Sequence, residues 1–216
     1  MKFLSLFLFA LLAATATAKS LNCYESGTSQ VCTSGKCFSQ EEENDIVGGK
    51  SGEKYSLQSC LPSCKELNIK LTFGEKKYFR AATKCCDTDN CNTIPAVPSA
   101  DAKNSNLECP ACFAFSSTYC EATVIKCPES ENQCVNITGK LSDASGIKSF
   151  YGRGCTTPAA KNITIGDAIA TNKDSWLEIA GISMEKATGS SWSVRGSFTV
   201  TLLSGLIGIQ LTNFFY

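Results

Sequence analysis

The fourteen cysteines, and the point where they stop, constrain this chain more than anything else in it. Eight fall between Cys23 and Cys91 and end in the run Cys85-Cys86-Asp87-Thr88-Asp89-Asn90-Cys91-Asn92. Six more fall between Cys109 and Cys155, and none follow. Two even-numbered clusters flanking a cysteine-free stretch predict two small disulfide-stapled domains rather than one large core. Each would hold about 70–80 residues, a size at which burial alone is marginal and covalent staples must contribute.

The two ends predict where those staples form. Lys2, the apolar run Phe3 to Leu12 and the small-residue site Ala16-Thr17-Ala18 have the order of a secretory signal over 1–18. The run is too short, and its end too small in side chain, for a buried first helix. The mature chain is therefore expected in an oxidising compartment, where paired cysteines persist. At the other end, Gly189-Ser190-Ser191 precede a short polar spacer and an apolar stretch from Phe198 to Tyr216. That order predicts a glycosylphosphatidylinositol (GPI) anchor signal over 187–216, with Gly189 or Ser190 as the attachment residue. A permanent transmembrane helix is the alternative, but no Lys or Arg follows the stretch to hold a cytoplasmic end. Without Lys2 and Arg195, 18 basic residues face 20 acidic ones. No basic surface is implied, which argues against nucleic acid as a partner.

Between the clusters, 93–108 carries Pro95, Pro98, Ser, Ala and Asn without apolar periodicity and reads as a linker. On either side the signals are those of strands. Leu67, Ile69, Leu71 and Phe73 alternate with Asn68, Lys70 and Thr72, and a Gly74-Glu75 turn leads into Lys77 to Thr83. In the second half, Val135, Ile137 and Leu141 oppose Asn136, Thr138 and Lys140, and an Asp143-Ala144-Ser145-Gly146 turn returns the chain through Ile147 to Arg153. Helical periodicity is absent between the two ends, so the mature protein is expected to be all-β.

Spacing alone leaves the pairing of the cysteines open. The Cys85-Cys86 pair followed after four residues by Cys91-Asn92, however, resembles the three-finger domain of the lymphocyte-antigen and urokinase-receptor family, shared with three-finger toxins. The resemblance covers the mature chain apart from the linker and the C-terminal stalk. It implies a first domain at 19–92 with Cys23–Cys37, Cys32–Cys60, Cys64–Cys85 and Cys86–Cys91. It implies a second domain at 109–186 with Cys109–Cys134, Cys112–Cys120 and Cys127–Cys155. The first domain lacks the family's second and third cysteines, with Ser26 standing at the second. The second domain lacks the seventh to tenth, its last two disulfides. In both, the missing cysteines are whole pairs, so no thiol is orphaned. In the family the asparagine matching Asn92 closes the domain onto its first strand. The second domain has no such residue, and a missing bridge costs about 2–5 kcal/mol in a small domain. Its third finger, Ala159 to Met184, is accordingly expected to be the most mobile part, with Ile163, Ile165, Trp176, Leu177 and Ile179 offsetting the loss by packing. The stretch Leu107-Glu108-Cys109-Pro110-Ala111-Cys112-Phe113 further resembles the second domain of tandem members, among them gamma-type phospholipase inhibitors and anchored surface proteins.

Catalysis finds no foothold. With no histidine there is no Ser-His or Cys-His pair and no Cys-His metal set. With every cysteine paired there is no thiolate nucleophile. Gly49-Lys50-Ser51 echoes a phosphate loop but lacks its first glycine, Asn44 standing there, and reads as a hairpin tip. Glu41-Glu42-Glu43-Asn44-Asp45 reads as a solvated loop at the second finger's tip rather than a calcium site. Asp101, Asp143 and Asp167 are loop acids with no partner visible in sequence. Two glycan acceptors occur, Asn136-Ile137-Thr138 and Asn162-Ile163-Thr164. Strand parity puts both asparagines opposite the neighbouring isoleucines and toward solvent. What remains is recognition. Candidate contact surfaces are Glu41 to Lys54, Gly74 to Lys77, Ser116 to Ala122 and Ala170 to Ser175, with Tyr55, Tyr78, Tyr119, Tyr151 and Trp176 as aromatic anchors or cross-strand packing residues. The expectation is a GPI-anchored extracellular cell-surface glycoprotein, without cofactor, that binds a cell-surface or secreted protein and performs no catalysis. The alternative is a secreted inhibitor resembling the gamma-type phospholipase inhibitors, its partner a phospholipase.

Overall fold

The structure, a computed structural model, describes residues 20–189 apart from 34, 48–51, 75 and 173–174. The signal segment, Gly49-Lys50-Ser51, Ser190 and the apolar tail lie outside the described residues. The described chain is all-β and folds as two tandem three-finger domains, each three antiparallel hairpins springing from a cluster of disulfides.

In the first domain, β1 (Leu21–Glu25) and β2 (Thr28–Cys32) form a separate two-stranded finger. Strands β3 (Lys36–Asn44), β4 (Lys54–Leu61), β5 (Asn68–Gly74) and β6 (Lys77–Cys86) form a sheet in the order β5-β6-β3-β4. In the second, β7 (Asn104–Phe115) pairs with β8 (Thr123–Pro128). Strands β9 (Gln133–Asp143) and β10 (Gly146–Thr156) make the second finger, and β11 (Ala168–Asn172) and β12 (Ser175–Lys186) the third. The order is β11-β12-β9-β10, and β13 (Thr188–Gly189) returns to β7. A 3-10 turn at Pro158–Asn162 is the one helical element among the described residues.

Disulfides join Cys23 to Cys37, Cys32 to Cys60, Cys64 to Cys85 and Cys86 to Cys91 in the first domain. In the second they join Cys109 to Cys134, Cys112 to Cys120 and Cys127 to Cys155. Asn92, fully buried, binds the first finger to the sheet. Its Oδ1 accepts from Tyr24 N at 2.9 Å, and its Nδ2 donates to Tyr24 O at 2.8 Å and Phe38 O at 2.9 Å.

The two domains are one body. Strand β10 runs beside β9 along its length, but on its other edge it changes partner. Phe150 to Arg153 pair with β7 of their own domain, whereas Cys155 and Thr156 pair with Thr72 and Leu71 of β5 in the first domain. Thr156 Oγ1 then donates to Lys70 O at 2.8 Å, extending the seam. The change of partner occurs at Gly154, where a Cβ would collide with Thr72 O and Phe73 Cα. The outcome is a sheet of eleven strands spanning both domains. Beneath it lies one core, to which the first domain gives Ile69, Leu71, Phe73 and Phe79 and the second Ile137, Leu141, Phe150 and Ile179. Phe113 crosses from the second domain to lie 5.3 Å from Phe73, ring to ring.

Sequence and structure part in several places. The stretch 93–108 is irregular through 103 and becomes β7 from Asn104. It is also strapped down: Val97 is buried and its N–H donates to Glu41 Oε2 at 2.8 Å. The third finger of the second domain is held better than its missing bridges suggest, because β12 pairs with β9 from Trp176 to Lys186, between β9 and β11. Ile163, Leu177 and Ile179 are buried there, but Ile165 is 72% and Trp176 43% exposed, so these two do not offset the loss by packing. Residues Asn162 to Ile165 are not a strand; Asn162 ends the 3-10 turn.

The junction also buries polar groups. Gln40, Glu42 and Asn44 alternate along β3 on the face toward the second domain. Gln40 Nε2 donates to Ala170 O at 2.6 Å and Asn44 Nδ2 to Thr171 O at 3.4 Å, so side-chain amides cap the outer edge of β11 in place of a neighbouring strand. Glu42, 1% exposed, accepts from Asn44 Nδ2 at 2.8 Å. Burial pushes its carboxyl up to about 8, the Asn44 bond opposing and the nearby Glu43 charge assisting.

The seam can be tested at its narrowest point. Gly154→Ala should lower stability by about 1–3 kcal/mol and split a single denaturant transition, followed by tyrosine fluorescence and far-ultraviolet dichroism, into two. Intact superposition of the two probes in the variant would show that the domains are held together elsewhere. The buried acids make a separate expectation about pH. Glu42 at about 8 and Glu131 at about 7 both lie above their ordinary 4.5, so the folded chain keeps protons that the unfolded chain has released. Their contribution is whole below pH 4.5 and is lost as pH rises to about 7 and 8, each carboxyl giving a slope of about 1.4 kcal/mol per pH unit inside its own window. Melting temperature should therefore fall from pH 5 to pH 8.5, and Glu42→Gln should flatten that fall.

Candidate recognition site between the domains

Few of the expected loop surfaces are free loops. Glu41 to Asn44 belong to β3, not to a solvated tip, and among the described residues they take part in no cation-binding cluster. Glu41 Oε2 holds Val97 N and lies 3.6 Å from Lys54 Nζ. Glu43 Oε1 accepts from Tyr78 Oη at 2.9 Å and from Arg80 at 3.2 Å. Ala170, Thr171 and Ser175 are buried, and Ala170 O and Thr171 O accept from Gln40 and Asn44 of the first domain, so these residues are internal contacts and not outer ones. Ser116 to Ala122 does form an open loop, pinned by Cys112–Cys120. It presents Tyr119, 64% exposed, with its ring 6.3 Å from that of Tyr151. Tyr55 and Tyr78 are half-buried on β4 and β6.

The three acids without visible partners all have one. Asp143 Oδ1 accepts from Ser145 N, which closes the β9–β10 turn, and Asp143 is held below its ordinary value chiefly by the Ser145 hydroxyl. Asp167 pairs with Lys65 Nζ at 2.7 Å across the junction. Burial raises its pKa, but the bonds from Lys65 and Thr164 outweigh this and hold it low. Asp101 pairs with Lys70 Nζ at 3.0 Å and accepts from Ser130 Oγ at 2.7 Å. Burial opposes ionisation there too, and the hydrogen bonds outweigh it and lower the pKa.

Two clefts open along the junction. The first, about 570 Å³, is polar and lies on the outward face of β5 and β6, opposite the core. Lys70 and Thr72 of β5 stand directly across from Arg80 and Tyr78 of β6. Like charges opposite one another are unfavourable unless neutralised, and here Asp101 neutralises Lys70 and Glu43 neutralises Arg80. The Arg80 guanidinium also lies 4.3 Å over the Tyr78 ring. The far wall is Val124 to Lys126 of β8, and Glu131 reaches in from the turn before β9. Glu131 is 3% exposed; its Oε1 accepts from Thr72 Oγ1 at 2.9 Å, and its Oε2 is enclosed without a hydrogen-bond partner. Burial pushes its carboxyl up to about 7, with the Thr72 bond opposing, Asp101 raising it, and Lys70 and Arg80 lowering it. The second cleft, about 500 Å³, is more apolar and is lined by Phe38, Leu57, Leu61, Leu67, Ile169 and Trp176.

Neither cleft is visible in the sequence. Alternation along β5 and β6 does put Lys70, Thr72, Tyr78 and Arg80 on one outward face, which is the single signal available. Glu131 gives none, since its burial depends on a domain that is distant in the chain. Of the glycan acceptors, Asn136 sits half-buried on β9 between two paired strands, with Oδ1 enclosed, whereas Asn162 is exposed.

Comparison with known proteins matches the u-PAR/Ly-6 domain over residues 16–93 and again over 105–173. Rat protein RoBo-1 is 30% identical over 139 residues, 63% of this chain and 57% of that one. A phospholipase A2 inhibitor of the gamma type from Gloydius brevicaudus siniticus is 36% identical over 105 residues, 47% of this chain and 52% of that one. Mouse Ly6/PLAUR domain-containing protein 8 is 23% identical over 175 residues, 72% of this chain and 68% of that one. The chain thus spans little more than half the length of the first two relatives. With two matched copies of the domain and a three-finger fold in each, this protein belongs to the u-PAR/Ly-6 domain family.

Proposed function

We propose that the mature chain is a GPI-anchored, N-glycosylated protein of the outer cell surface that acts by binding another protein, without catalysis. The observation that carries the reading is the pairing of all fourteen cysteines in a chain that has no histidine. Ser-His and Cys-His pairs and a free thiolate are thereby missing, while the disulfide frame holds clefts and loops rigid for contact. The domains are taken as 19–92 and 109–186, with attachment at Gly189 or Ser190. Gly189 is exposed at the end of β13, a position open to a lipid anchor. Asn162 is the more accessible glycan acceptor, and Asn136 the second.

A soluble inhibitor is the other reading, favoured by the relatives whose names are those of phospholipase A2 inhibitors. Cells expressing the full chain separate the two. Phosphatidylinositol-specific phospholipase C should release it into the medium. Spontaneous secretion instead would favour the inhibitor, and retention after treatment a membrane-spanning tail. In the released protein, Asn162→Gln should remove one peptide-N-glycosidase-sensitive increment of mass; an unchanged mass would show that Asn162 is unoccupied.

A further inference from the structure

The polar cleft has two unlike walls. On one side Lys70 and Thr72 of β5 and Tyr78 and Arg80 of β6 line it at alternate positions, so one face of that sheet looks into it. On the other side Val124, Ile125 and Lys126 of β8 line it in succession. Successive strand residues point to opposite faces, so all three border one space only where the edge of the strand borders it. That edge is open: among the described residues β8 pairs with β7 and with no other strand. Val124 is 55% exposed there, and Lys126 is exposed and has no ion pair among the described residues.

The charges on the lining are unequal. Three cations, Lys70, Arg80 and Lys126, stand against two acids, Asp101 and Glu131. Glu43, which pairs with Arg80, lies outside the lining. Glu131 supplies less than a full charge near neutral pH, because burial pushes its carboxyl up to about 7. The surplus is positive, and its exposed member, Lys126, sits on the open edge itself.

From this meeting of an open strand edge and a cationic lining we infer that the cleft takes an extended acidic segment of a partner protein, added as a strand to β8 with its carboxylates toward Lys126, Lys70 and Arg80. An extended segment bonds to an edge through its main chain and sends alternate side chains to one side. Acids at those alternate positions meet the surplus charge. Lys126 then acts as a filter: on a free edge it repels a second copy of the same edge but admits a strand of opposite charge. A basic segment is disfavoured by the same surplus. A sulfated glycan matches the charge but has no peptide groups with which to extend the sheet. This inference rests on the protein-recognition reading and names the partner's chemistry at one surface.

The test is fluorescence anisotropy of the full chain purified from cells with a labelled, capped seven-residue peptide. The peptide carries glutamate at its second, fourth and sixth positions and valine or threonine between. It should bind, its lysine-for-glutamate counterpart should not, and amide exchange at Val124 to Lys126 should slow when it is present. N-methylation of the set of alternate amides that faces β8 should weaken binding at least about tenfold, and methylation of the other set should leave it unchanged. Lys126→Glu, an exposed change, should weaken binding at least about tenfold, while Lys36→Glu, also exposed but outside the cleft, should not. No binding at millimolar peptide would overturn the assignment, as would equal binding of the lysine peptide or equal effects of the two methylation sets. Binding of a heparin hexasaccharide that displaces the peptide while amide exchange at β8 stays unprotected would overturn it in favour of a sulfated ligand. Release by the phospholipase is read separately, so failure here removes the strand-addition site and not the surface-recognition reading.

Discussion

The change of partner along β10 is the constraint on which the rest of the molecule depends. A strand that pairs with β7 at Phe150 to Arg153 and with β5 at Cys155 and Thr156 belongs to two domains at once. The geometry tolerates no side chain at Gly154, where Thr72 O occupies the space of a Cβ. Cys127–Cys155 fixes that same point covalently to the second domain's disulfide cluster. The seam is short, yet it aligns two half-sheets so that their apolar faces meet in one core. Two domains of this size bury little surface alone; pooled, they share Phe73, Phe79, Phe113 and Phe150 in a common interior.

This pooling accounts for the second domain's economy of disulfides. Its third finger lacks the covalent support found in the first domain's Cys85-Cys86 to Cys91-Asn92 element. In exchange, β12 pairs along β9, and β11 is capped at its open edge by Gln40 and Asn44 of the first domain. Those amides take the place of a missing strand without offering an edge for further pairing. Glu42 sits between them in sequence and shares their burial, which is why it stays protonated at a pH where surface acids are charged.

What is legible in the sequence is local. Period-two alternation at Leu67 to Phe73 and at Val135 to Leu141 places β5 and β9 and the side of each that faces the core. The family resemblance, resting on Cys85 to Asn92, supplies the three-finger plan. What stays hidden depends on contacts between residues far apart in the chain. Glu41 to Asp45 looks like a solvated acidic tip because five polar residues in a row carry no periodic signal. Only the arrival of β11 from 130 positions away makes Gln40 and its neighbours interior. Ala170 and Thr171 turn inward for the same reason. Trp176 and Ile165, apolar and therefore expected inside, stay exposed because Trp176 alternates with buried Leu177 and Ile179 on β12 and so faces outward, and Ile165 lies in a turn outside any strand.

Fusion into one body also changes what kind of recognition is available. Separate three-finger domains on a flexible linker would offer loop tips, each contact costing the entropy of ordering it. Here the connecting stretch is tied down at Val97 and Asp101, and the clefts lie between domains whose relative position is set by a sheet and a core. Lys70, Thr72, Tyr78, Arg80 and Glu131 project from strands and a turn braced by that sheet, and their ion pairs and hydrogen bonds hold them in fixed geometry before any partner arrives. Preorganisation of this sort favours selectivity by charge and shape over adaptability.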